Sequence, residues 1–270
     1  WGQDRFLLEN IFNHLPVEPH RVPVYVDIGS SHPFHLSNTA YFDQCQAWKG
    51  LCVDPNPVWA PVVRSMRSCV LLTACAWSTE RNLTFDNSAE LASSQASLTE
   101  DSFQSRCYPL EHLLRQAPGL LDTKEFPPIV DLLSVDAEGA EIEIFRNFAF
   151  SDWEIRVIVV ELSRDTTMAV DGLLLVNGFV KVSVLGKDAV YVNIHVVPYM
   201  PFQHGLRYPT SISWNEPGSN SDSIDYMRFQ RYFGVDGDLD ADVGDQRLAN
   251  ETELSRQRDR LAAQHEMLVH

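Results

Sequence analysis

The chain has 270 residues, with 37 acidic against 21 basic side chains and a formal net charge of −16. At 44% hydrophobic it can bury a sizeable core. Its negative field repels phosphate backbones and anionic lipid, so nucleic acid and membrane surfaces are not expected partners. No apolar run reaches the roughly 20 residues of a membrane span, so no span is expected within the chain. No secretory leader is visible, yet the first residue is Trp1 rather than Met. A segment upstream is therefore expected, and the compartment stays open between cytoplasm and lumen.

In chain order, residues 3–15 predict an amphipathic helix. Leu8, Ile11, Phe12 and Leu15 fall at helical spacing and Pro16 follows as a stop. Short apolar runs then alternate with helical stretches. The runs cover residues 22–28, 51–53, 70–75, 129–135, 157–162, 179–185 and 189–197; the helices between them cover 38–45, 58–66, 110–116, 138–147 and 166–177. The first five runs are almost continuously apolar, as in strands buried on both faces of a parallel sheet. The alternation predicts an α/β, doubly wound sheet. Gly186-Lys187-Asp188 is short enough to join the last two runs as a hairpin, which adds an antiparallel edge.

From about Pro198 the composition turns polar. We expect a domain over residues 1–197 and an acidic, partly irregular extension over 198–270, with a terminal helix near residues 246–268. Asp236, Asp238 and Asp240 alternate as in a calcium loop, but Ala241 and Arg247 stand where such a loop needs Gly and Glu. The five cysteines are odd in number, form no Cys-x-x-Cys pair and are too few for a disulfide scaffold. Cys52, Cys69 and Cys75 read as buried small hydrophobes. Two glycosylation sequons, Asn82-Leu83-Thr84 and Asn250-Glu251-Thr252, are about as many as chance supplies and decide nothing alone. Trp48 and Trp77 read as packing residues rather than nucleobase platforms.

Chemistry concentrates at the strand ends. The first strand runs into Asp27-Ile28-Gly29-Ser30-Ser31-His32-Pro33, a turn of small residues that lets the backbone approach a ligand. Asp27 could accept hydrogen bonds from a cationic amino-acid group. Asp54 ends the second strand 25 residues after Gly29, near the spacing of a carboxylate that holds ribose hydroxyls, with Asn56 just beyond it. Ser31 and Phe34 replace the second and third glycines of a dinucleotide fingerprint, which favours a nucleoside without pyrophosphate and disfavours a nicotinamide oxidoreductase. Asp136 and Glu161 end the fourth and fifth parallel strands. They and Glu138 are candidates to take a proton from a hydroxyl, or to hold a hard cation, although no further ligand in these motifs completes a metal set. In the loop after Gly29, His32 and His35 are candidate bases, Ser37 a helix cap and Asn38 a ligand contact.

Four segments together resemble the FkbM-type methyltransferase family. They are Val24-Tyr25-Val26-Asp27-Ile28-Gly29, Ser37-Asn38-Thr39, Trp48-Lys49-Gly50-Leu51-Cys52-Val53-Asp54-Pro55-Asn56-Pro57 and Leu133-Ser134-Val135-Asp136-Ala137-Glu138-Gly139-Ala140-Glu141. The resemblance spans roughly residues 3–197. It implies a Rossmann-like class I methyltransferase fold with seven strands, and S-adenosylmethionine as cofactor. Asp27 and Gly29 match its first cofactor motif, Asp54 its ribose-binding acid, and Asp136 with Glu138 its signature after the fourth strand. The broader methyltransferase motif has glycines where Ser31 and Pro33 stand. The implied activity is methylation, with oxygen the expected acceptor atom on a small-molecule or glycan hydroxyl. The alternative is a methyltransferase-fold member without catalysis, serving interaction or trafficking.

Overall fold

The computed structural model of the chain describes residues 2–16, 18–86, 102–117, 119–121, 127–163 and 166–197. Its strands, in chain order, are β1 (Val24–Ile28), β2 (Lys49–Val53), β3 (Val70–Leu72), β4 (Cys75–Ala76), β5 (Arg81–Asp86), β6 (Ser102–Tyr108), β7 (Ile129–Val135), β8 (Glu154–Glu161), β9 (Phe179–Leu185) and β10 (Asp188–Asn193). The helices are α1 (Gln3–Asn10), α2 (Ala40–Gln44), α3 (Ala60–Met66), α4 (Leu110–Arg115), α5 (Glu141–Phe145) and α6 (Thr167–Val176). Seven strands build one sheet in the order β3-β2-β1-β7-β8-β10-β9. All its pairs are parallel except those of β10, which runs antiparallel to β8 and β9. This is the doubly wound α/β sheet with an antiparallel edge that the alternation predicted.

Every residue of β1 and β7 is buried, because helices cover both faces. Val24, Val26 and Ile28 pack with Leu113 of α4, Phe145 of α5 and Leu174 of α6. Tyr25, one residue out of phase, packs on the opposite face with Phe6 and Leu7 of α1, Phe42 of α2 and Trp48. The one acid inside β7, Asp131, is neutralised where it sits. Both terminal nitrogens of Arg21 donate to it at 2.6 Å, Arg156 donates at 3.2 Å and the Val24 amide at 2.7 Å. Strand order reverses between β2 and β7 around β1. The crevice beyond the carboxyl ends of β1 and β7 is therefore where this topology leaves room for a ligand.

The structure departs from the sequence reading in four places. Two disulfides form, Cys52–Cys69 and Cys75–Cys107, so four residues read as hydrophobes or unassigned are cross-links. The apolar run over residues 70–75 is two strands. The chain leaves the main sheet after Leu72, and Cys75 enters a second sheet in the order β4-β6-β5, directly opposite Cys107. That sheet went unread because β5 and β6 alternate polar with apolar residues instead of forming apolar runs. The helices are also shorter than expected. α1 gives way to a 3₁₀ turn at Phe12–His14, and α5 starts only at Glu141 because Glu138 (φ 49°) and Gly139 (φ 97°) first make a left-handed turn. The expected extension over 198–270, its acidic tract and its terminal helix lie outside the described residues, as do residues 87–101.

Candidate active site

Where β1 ends, the sheet continues for two more hydrogen bonds: the amide of Gly29 donates to Val53 at 2.8 Å and that of Asp136 to Ile28 at 2.9 Å. Gly29 turns here with φ 81°, and a Cβ on it would lie 1.7 Å from the Asp136 carbonyl oxygen. Glycine is thus demanded by the crossing of the β1 and β7 chain ends, whatever ligand the turn also meets. The next turn residue, Ser31, is also left-handed at φ 41°. Its amide is held by Oδ2 of Asp54 at 2.7 Å, and Oδ1 of Asp54 accepts from the Asn56 amide at 2.8 Å. One carboxylate therefore ties the β1 turn to the β2 turn. Burial pushes Asp54 up to about 6, against the pull of those two amides and with a further push from the charge of Asp27.

These turns floor a cavity of about 720 Å³, a size suited to a nucleoside-sized ligand. Trp59, Trp77, Phe34 and Phe85 contribute aromatic wall, while Asp136, Glu138, Glu161 and Asp188 make the wall beside β8 and β10 acidic. Asp136, Glu138 and Glu161 each bring a carboxylate oxygen within 4.8 Å of the other two. Among the described residues this is the one group of three that could hold a hard cation, and the Lys187 ammonium already stands 3.1 Å from Glu161. Burial, followed by the charge and hydrogen bond of Glu161, pushes Asp136 up to about 9. Glu138 is likewise raised, chiefly by burial and then by Glu161. Asp188 lies opposite Glu161 in the β8–β10 register and is pushed up to about 6, again chiefly by burial. Ser30 Oγ, Asp136 Oδ1 and Glu138 Oε1 are buried at the cavity with no hydrogen-bond partner in the protein. Unsatisfied polar atoms of this kind are costly unless a ligand or water completes them.

The methyltransferase FkbM domain matches residues 27–180, over half of the chain. The chain belongs to the FkbM methyltransferase family. No curated protein matches the sequence. Among solved structures, the crystal structure of precorrin-6y C5,15-methyltransferase from Geobacter metallireducens GS-15 superimposes with a TM-score of 0.35 and 14% identity, over 70% of this chain and 85% of that one.

This FkbM domain brings nearly all of the sequence-derived candidates to one cavity. Asp27, Gly29, Ser31, Asn38, Asp54, Asn56, His32, Asp136, Glu138 and Glu161 all line it. Their duties differ from the simple readings. Asp27 is fully enclosed and accepts from the Thr39 hydroxyl, with Arg67 nearby; burial raises it and Arg67 opposes that rise. The Nδ1 of His32 accepts from the amides of Phe34 (3.1 Å) and His35 (2.9 Å), and its ring meets Trp59 edge-on at 5.1 Å. Because that lone pair is committed to the loop, and burial lowers the ring's basicity, the imidazole is poorly placed to act as a base. Asn38 donates to Ser134 Oγ at 3.3 Å and also reaches Asp188. The N-cap of α2 is Thr39 rather than the expected Ser37, because the helix starts only at Ala40; Ser37 Oγ sits two residues ahead and accepts from the Thr39 and Ala40 amides.

Arg67 and Asp188 escaped the sequence reading. Arg67, buried after α3, donates to Asp43 (2.6 Å), the Pro33 carbonyl (3.0 Å), Tyr25 Oη (3.1 Å) and Thr39 Oγ1 (2.8 Å). It fastens the loop over residues 33–39 that walls the cavity, and nothing local to residue 67 announces that role. Asp188 was legible in principle. A hairpin whose last strand pairs with β8 must set its first residue beside Glu161. Glu141 accepts from the Ala137 and Gly139 amides and so shapes the turn that carries Glu138.

Proposed function

We propose that the chain is an S-adenosylmethionine-dependent O-methyltransferase acting on a small-molecule or glycan hydroxyl. The observation that carries this reading is the carboxylate cluster Asp136, Glu138 and Glu161, whose oxygens lie within 4.8 Å of one another beside unpartnered buried polar atoms at the switch-point crevice. The cofactor, when bound, supplies a methyl group already activated on a sulfonium. The protein's own work is then to orient, to enclose and to receive a proton.

Each oxygen of Asp54 has a lone pair beyond the one its backbone amide uses, so the carboxylate can still accept from ribose hydroxyls, with Asn56 alongside. Ser30 Oγ and the Asp27 side of the cavity offer polar contacts for the amino-acid end. Crowded carboxylates favour a cationic ligand, since positive charge offsets their mutual repulsion. An acceptor hydroxyl must shed its proton on becoming an ether. Asp136 is held protonated by burial, so the proton passes to an ionised carboxylate elsewhere on the acidic wall, of which Asp136 is the acceptor-facing member. An anionic acceptor would meet the same acidic wall unfavourably, which supports a neutral hydroxyl.

Calorimetric titration with S-adenosylmethionine and with NAD tests the reading directly. Binding of the first alone is expected; binding of NAD alone would overturn it, and binding of neither would favour a non-catalytic member. Asp54→Ala should weaken S-adenosylmethionine binding by about a hundredfold, the effect of losing hydrogen bonds worth on the order of 1.5–3 kcal/mol each. An unchanged dissociation constant would reduce Asp54 to a tie between two turns.

A further inference from the structure

We infer that Asn82 carries an N-linked glycan, acquired where the chain also forms its disulfides. Two independent features converge on this assignment. The Cys52–Cys69 and Cys75–Cys107 cross-links require an oxidising compartment to form and persist, and such compartments are where sequons meet glycosyl donors. The sequon Asn82-Leu83-Thr84 then lies on β5, where Asn82 is exposed.

The geometry of β5 makes room for the modification. Among the described residues β5 pairs only with β6, so it is an outer strand of the small sheet. Strand alternation puts Leu83 and Phe85 on one face, and both line the cavity. Asn82 therefore projects from the other face, across from Arg106, whose side chain is also exposed. A glycan there leaves the cavity clear.

The step balances with a lipid-pyrophosphate oligosaccharide as donor. The Asn82 side-chain nitrogen forms a bond to the anomeric carbon of the first sugar. The bond from that carbon to the pyrophosphate oxygen breaks, the lipid pyrophosphate leaves, and the amide nitrogen gives up one proton. None of this depends on the methyltransferase reading.

The test is peptide mapping of the full protein from the cells that make it, with thiols alkylated before lysis. Amide-cleaving glycosidase treatment in heavy-oxygen water should convert Asn82 to isotope-labelled Asp. Unreduced digests should contain the 52–69 and 75–107 peptides as cross-linked pairs. Asn82→Gln, and separately Thr84→Ala, should each remove the label at this site and leave S-adenosylmethionine affinity within about twofold of the parent. An unlabelled, unmodified Asn82 in disulfide-linked protein would overturn the assignment. So would alkylated thiols at the four cysteines.

Discussion

At the scale of single residues, the site is assembled from groups that the fold would be more stable without. Asp136 has a folded value near 9 against an ordinary 3.8. The folded protein therefore keeps a proton that the unfolded chain releases between about pH 4 and pH 9, and stability must fall as pH rises through that window. Asp136→Asn removes the liability. It should raise the unfolding free energy at pH 8 by on the order of 1–3 kcal/mol and flatten the dependence over that range, as urea melts at several pH values would read. The same substitution should depress turnover strongly while S-adenosylmethionine affinity changes little, because a carboxyl that aligns the acceptor hydroxyl is lost and the ribose contacts are not. Unchanged turnover would remove Asp136 from catalysis. A second residue-scale case is Ser31, whose left-handed φ of 41° explains how the chain manages without the motif's glycine: it adopts the backbone that glycine takes freely. Ser31→Gly should be neutral to stabilising by up to about 1 kcal/mol in thermal melts and should preserve cofactor affinity. A clear loss of affinity would mean that the hydroxyl itself touches the ligand.

At the scale of elements, the second sheet depends on covalent help. β4 has two residues and β5–β6 is a single ribbon, too little to be stable alone. The Cys75–Cys107 bond ties that ribbon to the point where the chain leaves the main sheet, closing a separation of 32 residues; Cys52–Cys69 closes 17. On loop-closure entropy alone the two should contribute about 4 and about 3 kcal/mol respectively. A Cys75→Ala/Cys107→Ala variant should accordingly show a urea midpoint lowered more than Cys52→Ala/Cys69→Ala, and reductant should have little further effect on the double pair. Equal melting of variant and parent would show that these bonds do not form in the protein. What could be read from sequence follows the same division. β1 and β7 were legible because buried strands of an α/β sheet are continuous apolar runs, and the runs at Ile129–Val135 and at the edge strand Phe179–Leu185 have the predicted bounds. The small sheet was not, because Arg81–Asp86 and Ser102–Tyr108 bury only one side of each strand, and the cysteine pairing emerges only when β4 and β6 come into register. The carboxylate edge of the site was legible from strand ends. The Arg67 hub was not, since its partners lie up to 42 residues away in sequence and meet only in the folded chain.

At the scale of the whole molecule, both faces of the main sheet are closed by residues ahead of position 198. One core layer runs from Val24 to Tyr191 and the other from Phe6 to Val197, and together they include every buried strand of the sheet. The last of these contacts among the described residues, Val197, is 4% exposed against the α1 side, and we propose the expected boundary at residue 197 as the end of the domain. Among the described residues, both layers are already buried. A chain ending at Val197 should therefore remain soluble and melt in one cooperative transition by calorimetry. Its midpoint should lie within a few degrees of the full chain, because a change of about 1 kcal/mol moves a domain of this size by roughly 2–4 °C. Binding and turnover then report separately on the removed part. If residues 198–270 only trail from the domain, S-adenosylmethionine affinity and turnover should both survive. If they help to enclose the acceptor, affinity for the cofactor should survive while KM for the acceptor rises, since Asp54, Asn56 and the β1 turn are all retained. Loss of the cooperative transition itself would show that the domain needs its extension to fold, and would move the boundary beyond Val197.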